Sequence, residues 1–336
     1  MRIHFLTSVA LAAFLAAPAS AQDNSSSVSQ TGGGAVATVT QDGANDESTI
    51  AQSSGGTVTV HQTGVRGSTS TVTTGADDRP PESSVTVTQS DTGGSTAAIG
   101  ESNVSTVIQD NVNGFGLTGT GSTVDVTQVH NAAGTGQNSS YVQQGRNAVS
   151  GQVTVNQTGG ENISYYSSVT STDNDAVINQ TGVGNNSVVF QDFQGGSALA
   201  TVTQNNAGGP VNSAYIDQVS DGFAATPAEF AYGAEAHIDQ DGSGNSSSIV
   251  QTGYSTTVGA GNYAENDQTG DGHVSTITQG GIDNYALVTQ TGTGNLSTVD
   301  QGGNANSAIV SQASSGNSSS VNQGGNGNSA MVTQGL

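Results

Sequence analysis

The chain of 336 residues contains no cysteine and no tryptophan, and only 5 prolines. It has no lysine, and beyond its first residues the only permanent cations are Arg66, Arg79 and Arg146. Each absence removes a class of explanation. Without cysteine there is neither a disulfide framework nor a thiolate metal site. With 26 acidic residues and a formal charge of −22, the chain repels nucleic acid and anionic membrane faces, so neither is expected as a partner. Aromatic residues make up 4% of the chain and hydrophobic residues 32%. That is little apolar surface to offset chain entropy, and composition alone favours a disordered acidic chain.

Long apolar runs are also missing, with one exception. After the basic start Met1-Arg2, residues Phe5 to Ala17 are apolar, and Pro18-Ala19-Ser20-Ala21 follows with small residues. This order reads as a secretory signal peptide over 1–21, cleaved before Gln22 and too short to span a membrane. No later segment is apolar enough to insert, so the mature chain is expected to be exported.

What the chain does have is repetition. Gln268, Gln279, Gln290, Gln301, Gln312, Gln323 and Gln334 stand eleven residues apart, as do Gln30, Gln41 and Gln52. The phrase persists with uneven spacing at Gln62, Gln89, Gln109, Gln128, Gln144, Gln157, Gln180, Gln191, Gln204, Gln218, Gln240 and Gln251. Self-similarity at a fixed short period marks a solenoid or array. Three stretches follow: regular repeats over 22–62, repeats with irregular loops over 63–239, and regular 11-residue repeats over 240–336.

Each phrase runs Asn (or a small residue), any, small, any, Val or Ile, any, Gln, as in Asn328-x-Ala330-x-Val332-x-Gln334. A seven-residue alternation of period two predicts a strand with one buried face, since a helix cannot hold those four residues on one side. Asn, Ala or Ser, Val and Gln therefore point inward, while Ser329, Met331 and Thr333 point outward. Glycine commonly follows two residues after the Gln, as at Gly253, Gly270, Gly292, Gly303 and Gly325, and predicts tight turns that use φ > 0. Worn phrases at Ser68 to Thr74 and Asn162 to Ser168 keep the alternation without the Gln. Gly75 to Ser84 reads as a bulged loop, and Val219 to Ala236 holds one degraded strand at most.

The expected fold is all-β: a flattened β-solenoid of strand-turn-strand rungs, with two facing, parallel, in-register sheets about 10 Å apart. About twelve rungs rising roughly 4.8 Å each make a rod on the order of 60 Å long. Inward amides would be costly to bury alone, but in register each can donate to its copy on the next rung. The expected amide ladder comprises Gln30, Gln41, Gln52, Gln180, Gln191, Gln240, Gln251, Gln268, Gln279, Gln290, Gln301, Gln312, Gln323 and Gln334, with Asn284, Asn295, Asn306, Asn317 and Asn328.

The phrase Gln301-Gly302-Gly303-Asn304-Ala305-Asn306-Ser307-Ala308-Ile309-Val310-Ser311-Gln312 resembles the curlin repeat of curli, the bacterial extracellular amyloid fibres. The resemblance covers almost the whole mature chain. It implies a secreted structural subunit that passes the periplasm, leaves through a dedicated outer-membrane pore, and polymerises with itself on a surface-held nucleator. The fibres serve adhesion to host or abiotic surfaces and biofilm matrix. This chain departs from the family in having many more strands than its five-repeat subunits, an irregular middle, and no unpatterned pore-addressing segment before Asn24. Its last phrases are regular and carry no basic residue, which favours a fibre-forming subunit over a nucleator with a divergent basic end.

Only Gly335 and Leu336 follow Gln334, and only Gln22 and Asp23 precede Asn24 in the mature chain. Uncapped terminal rungs are expected to template the next copy head to tail. Carboxylates directly after a glutamine, Asp42, Asp110, Asp192, Asp241 and Asp271, are candidate gatekeepers that slow premature assembly by repulsion.

No catalytic residue, cofactor or metal site is expected. His61, His130 and His237 fall at outward or turn positions and His273 replaces an inward Asn, without metal-ligand spacing. Calcium could bridge acidic turns from Asp241 to Asp271, but no GGxGxD phrase is present. The chain is not expected to be an enzyme. Other readings are a fibre nucleator, a monomeric solenoid adhesin, and an ice-binding solenoid. The last rests on Thr57 with Thr59 and Thr86 with Thr88, an outward array broken elsewhere by Asp300, Tyr285, Ser25 and Glu47.

Overall fold

The computed structural model describes residues 23–31, 33–53, 55–64, 67–75, 83–91, 103–109, 121–131, 136–145, 151–168, 174–192, 198–219, 233–253 and 261–335. The signal peptide, Arg66, Asp110, most of the Gly75–Ser84 loop and most of Val219–Ala236 lie outside the described residues.

Strands, numbered in chain order, alternate between two 12-stranded sheets in which every pairing is parallel. The first sheet holds β1 (Ser25–Gln30), β3 (Glu47–Gln52), β5 (Thr69–Thr74), β7 (Val104–Gln109), β9 (Ser139–Gln144), β11 (Ile163–Ser168), β13 (Asn185–Asp192), β15 (Asn212–Val219), β17 (Ser246–Thr252), β19 (Val274–Gly280), β21 (Leu296–Gly302) and β23 (Ser318–Gln323). The second holds β2 (Ala35–Gly43), β4 (Gly56–Gly64), β6 (Ser83–Asp91), β8 (Thr123–His130), β10 (Gln152–Gly160), β12 (Asp175–Val183), β14 (Ala198–Asn206), β16 (Ala234–Asp241), β18 (Tyr263–Asp271), β20 (Tyr285–Thr293), β22 (Ser307–Gln312) and β24 (Ser329–Gln334). Each strand pairs with the strands two places before and after it in the chain, so two consecutive strands make one rung of a flattened β-solenoid.

The alternation in the sequence becomes the burial pattern. In β22, Ala308, Val310 and Gln312 are buried while Ser307, Ile309 and Ser311 are half-exposed. A column made mostly of Val and Ile fills the interior, from Ile50 and Val58 to Val310 and Val321, with Tyr166 in β11 and Asn266 in β18 at valine positions. The sheets are not equivalent. At the small inward position the first sheet mostly carries serine (Ser48, Ser70, Ser187, Ser297), and the second carries Ala or Val (Val58, Val85, Ala286, Ala308). At the ends of the rod, Val28, Ala37, Val39, Ala330 and Val332 are only partly buried, because one face of each end rung has no neighbour among the described residues.

Register survives the uneven spacing. Successive glutamines pair at separations of 22 residues in the regular part and of 39 and 36 in the middle. The strand registry is unchanged because a one-residue slip would turn every inward side chain outward.

Two expectations need correction. The glycine two residues after the Gln is not a turn residue in the second sheet: Gly270 and Gly292 lie within β18 and β20. Nor is positive φ always its reason. Gly270 and Gly292 have φ of 118° and 98°, but Gly253, Gly303 and Gly325 do not have positive φ. At Gly253 and Gly303 the constraint is close approach, since an added Cβ would lie 2.0 Å and 2.2 Å from the carbonyl oxygens of Gly281 and Gly325. The left-handed residue sits instead just before the inward Asn: Gly244, Gly294, Gly316 and Gly327, and also Asn45, Glu161, Asp283 and Ala305. The second correction is His130, which is buried and not outward. β6 and β8 run on past their glutamines, which pairs Asp91 with His130 in the glycine column, with His130 Nδ1 3.4 Å from Asp91 Oδ1. His61 and His237 are half-exposed.

Candidate functional site: the amide ladders and the rod ends

The polar interior is the most distinctive feature of the molecule. In the second sheet, Gln41, Gln62, Gln89, Gln128, Gln157, Gln180, Gln204, Gln240, Gln268, Gln290, Gln312 and Gln334 form an unbroken ladder. Each Nε2 donates to the next Oε1 at 2.7–3.0 Å. The same Nε2 also donates to a backbone carbonyl that opens a strand of the facing sheet, as from Gln290 to Val274 (3.2 Å) and from Gln312 to Leu296 (2.9 Å). Both amide protons and the carbonyl are thereby used, which is what makes complete burial of a glutamine tolerable.

The first sheet repeats the device with gaps. Gln30 donates to Gln52, Gln109 to Gln144, and Gln191, Gln218, Gln251, Gln279, Gln301 and Gln323 form a continuous run. Thr74 and Ser168 interrupt it.

Asparagines at the start of the phrases form a second kind of ladder. Oδ1 of Asn306 accepts the backbone N–H of Asn328 at 3.0 Å, and Oδ1 of Asn284 accepts that of Asn306 at 3.0 Å. Oδ1 of Asn295 likewise accepts from Asn317 N–H at 2.9 Å. The Nδ2 group closes the turns: Asn284 donates to the Gly280 and Gly303 carbonyls, both at 2.7 Å, and Asn295 to those of Thr291 and Ser314 at 2.8 and 3.0 Å. His273 takes an asparagine's place with the same polarity. Its Nδ1 accepts Asn295 N–H at 3.3 Å, which leaves Nε2–H to donate to the Thr269 carbonyl at 3.1 Å.

The two ladders run in opposite directions. Glutamines donate towards the C-terminal end of the rod, whereas asparagines accept from it. The end built from β23 and β24 therefore presents the amide donors of Gln323 and Gln334 and the acceptor oxygens of Asn317 and Asn328. The end built from β1 and β2 presents the acceptor oxygens of Gln30 and Gln41 and the N–H of Asn24. The two ends are complementary in register and in hydrogen-bond sense.

The candidate gatekeepers divide. Asp42 is exposed and Asp192 half-buried, while Asp110 lies outside the described residues. Asp241 accepts from Asn205 Nδ2 at 3.0 Å. Asp271 accepts both the hydroxyl and the backbone N–H of Ser243, at 2.8 and 2.9 Å, and these bonds hold its carboxyl below the usual range. Both therefore tie neighbouring rungs together as well as carrying charge. The crowding of negative charge is greater at Asp239 and Asp267, register partners on β16 and β18. Partial burial, then neighbouring carboxylates including Asp241 and Glu265, raises both above the ordinary value.

Three features were not recognised in the sequence. Tyr141, Tyr165, Phe190 and Tyr215 form a row along the outer face of the first sheet, with centroids 5.0, 5.4 and 6.1 Å apart, the first pair stacked, the second tilted and the third edge-on, and Tyr263 stacks on Tyr285 on the second. The hydroxyl of Tyr166, whose inward position the worn phrase Asn162 to Ser168 implies, reaches into the ladder. Asp46 occupies an asparagine position, 22 residues after Asn24. The fixed phrase spacing could have located all three. Among the described residues no group of three or more His, Asp or Glu side chains is arranged to hold a metal ion.

The model of the curlin associated repeat matches residues 281–313, which span β20, β21 and β22. This is a curlin-repeat segment. The matched phrases include Gln290 and Gln301 and the turn-closing Asn284, Asn295 and Asn306, whose geometry recurs along the rest of the rod. No curated protein and no solved structure matches the chain.

Proposed function

We propose that the chain is the structural subunit of a secreted, curli-like extracellular fibre that grows head to tail. The observation that carries this reading is the complementarity of the two rod ends. A copy placed with its β1 and β2 against β23 and β24 of another continues both sheets, both amide ladders and the apolar column without a change of register. The partly buried Val28, Val39, Ala330 and Val332 would become interior residues at that joint.

The rest of the reading follows from the family. Residues 1–21 direct export to the periplasm, an outer-membrane pore passes the chain to the cell surface, and a nucleator starts the fibre, which serves adhesion and biofilm matrix. Outward carboxylates such as Asp42 and Asp192 slow premature joining. The ice-binding alternative loses support because Thr57 lies between Val36 and Ser84, Thr88 faces His61 on one side, and Asp125 follows Thr86 in the same column.

Electron microscopy and fibre diffraction of the purified mature chain test the proposal. The expected result is unbranched fibres whose growth is shortened in lag by preformed seeds, with an axial spacing of about 4.7–4.8 Å. Single dispersed rods at high concentration, indifferent to seeds, would overturn it and favour a monomeric adhesin.

A further inference from the structure

Asp46 is the one carboxylate in the asparagine series of the first sheet, and it is 1% exposed. It performs half of an asparagine's work. Its backbone N–H donates to Asn24 Oδ1 at 2.9 Å, and its Oδ1 accepts the Ser68 N–H at 3.0 Å. The other half is missing: buried Oδ2 has no hydrogen-bond partner.

The repeat shows what that atom faces. An asparagine's Nδ2 donates to the carbonyl four residues earlier and to a carbonyl about nineteen residues later, as Asn284 does to Gly280 and Gly303. Asn24 donates to the Gly43 carbonyl at 3.1 Å, and Gly43 pairs with Gly64 on the next rung. At Asp46 the corresponding acceptors are the carbonyls of Asp42 and Gly64. An ionised oxygen set against carbonyl oxygens is repelled, whereas a protonated carboxyl can donate one hydrogen bond as the amide does. His273 shows that another side chain is accepted at this position when it offers one acceptor and one donor.

We propose that Asp46 is a proton-operated latch on the first rungs of the rod: neutral, it completes the asparagine ladder and locks β1 and β3 together, and ionised, it loosens them. Among the described residues, the titratable groups around it favour the neutral form. Asp42 from β2 is nearby and negative, Asp23 precedes Asn24, Glu47 follows Asp46 on its own strand, and His61 on β4 points outward. The segment leading into β5 brings Gly67 and Ser68, neither of them titratable, to this corner, and Arg66 lies outside the described residues. Burial, opposed by the Ser68 N–H and reinforced by Asp42, pushes the carboxyl from 3.8 up to about 6.

The sign follows. A carboxyl whose folded pKa is raised binds its proton more tightly in the folded rung than in the unfolded chain. Its contribution is complete below about 3.8, falls as pH rises towards about 6, and is absent above that. If the β1–β2 end is a joining face, as proposed above, the latch makes that face ready in acid and loose at neutral pH. The regulatory part of the inference rests on that reading. The titration itself does not.

Hydrogen exchange on the soluble mature chain, before any fibre forms, separates the two. Protection factors of the β1 and β3 amides are expected to rise about tenfold or more between pH 7.5 and 4.5 in the wild type. In Asp46→Asn they should be high at both pH values, while amides of β19 to β22 serve as an internal reference. A carboxyl ¹³C titration of Asp46 in the wild-type chain, expected to have its midpoint near 6, does not depend on the variant folding. The inference is overturned if that midpoint lies near 3.8, if wild type and Asp46→Asn share one pH profile, or if added calcium tightens β1 and β3 at pH 7.5, which would make a cation and not a proton the partner of Oδ2. A latch that titrates as expected in a chain that never forms fibres would leave this inference standing and defeat the fibre reading alone.

Discussion

The buried hydroxyl of Tyr166 donates to Gln191 Oε1 at 3.0 Å. In the ladder's own logic that bond belongs to a glutamine two residues further on, where the chain has Ser168. A large residue at the valine position and a small one at the glutamine position have exchanged roles, and the hydroxyl supplies the donor that the missing amide would have provided. The same burial raises the Tyr166 pKa, so the phenol stays a neutral donor across the ordinary pH range.

Removing that hydroxyl should be costly out of proportion to its size. Tyr166→Phe leaves Gln191 Oε1 buried without its axial donor and is expected to lower stability by about 1–3 kcal/mol. Denaturant unfolding of the soluble chain measures it, and a change below a few tenths would show that water reaches the site.

The other gap in the ladder has no such repair. Thr74 stands in register between Gln52 and Gln109, and both Thr74 Oγ1 and Gln109 Oε1 are buried without a partner. Thr74→Gln should join the two ladder segments and raise stability by roughly 1–2 kcal/mol, the opposite sign from most core substitutions. A shift of the unfolding midpoint to higher denaturant, with unchanged slope, is the expected readout.

Glycines of the rod should differ by position. At Gly182, φ is 93° and an added Cβ would lie 1.7 Å from the Asn206 carbonyl oxygen, with backbone that cannot yield. At Gly294, φ is 63° but the space is open. Gly182→Ala should therefore break the local pairing of β12 with β14, while Gly294→Ala should cost only the left-handed conformation, about 1 kcal/mol. Ala305, already at φ 56° in the equivalent turn place, shows that the smaller cost is tolerated. Circular dichroism and exchange protection of the two variants would distinguish these cases.

Asp239 and Asp267 are partly buried beside one another and beside further carboxylates. Because both pKa values are raised, the penalty is absent in acid and grows as pH rises above 3.8. Asp239→Asn should stabilise the chain at pH 7 by less than about 1 kcal/mol, since solvent and salt screen an exposed pair. The gain should shrink in 1 M salt, which screens the repulsion but not the burial, and disappear below pH 4. An equal gain at all salt concentrations would point to packing and not charge.

Strand positions, inward faces and the identity of the ladder residues were legible in the sequence because a parallel in-register stack copies the one-dimensional period directly. Gln290 lies on Gln312 for the same reason that the two stand 22 residues apart. Where the period was interrupted, legibility failed for physical reasons. His130 was misplaced because the strands of the second sheet run beyond their glutamines, and nothing in the phrase marks where backbone pairing stops. The glycines were assigned to turns because φ > 0 and close approach of a neighbouring rung leave the same residue in the sequence.

The alternation of small, apolar and amide side chains by itself determined that this acidic, core-poor chain would fold as stacked rungs, because only that arrangement lets each buried amide satisfy a copy of itself. Tertiary structure alone decided the direction of each ladder, the exchange of roles between Tyr166 and Ser168, and the stranded oxygen of Asp46. Those depend on which atom faces which across 4–5 Å of space, a relation between neighbouring rungs that no single rung encodes.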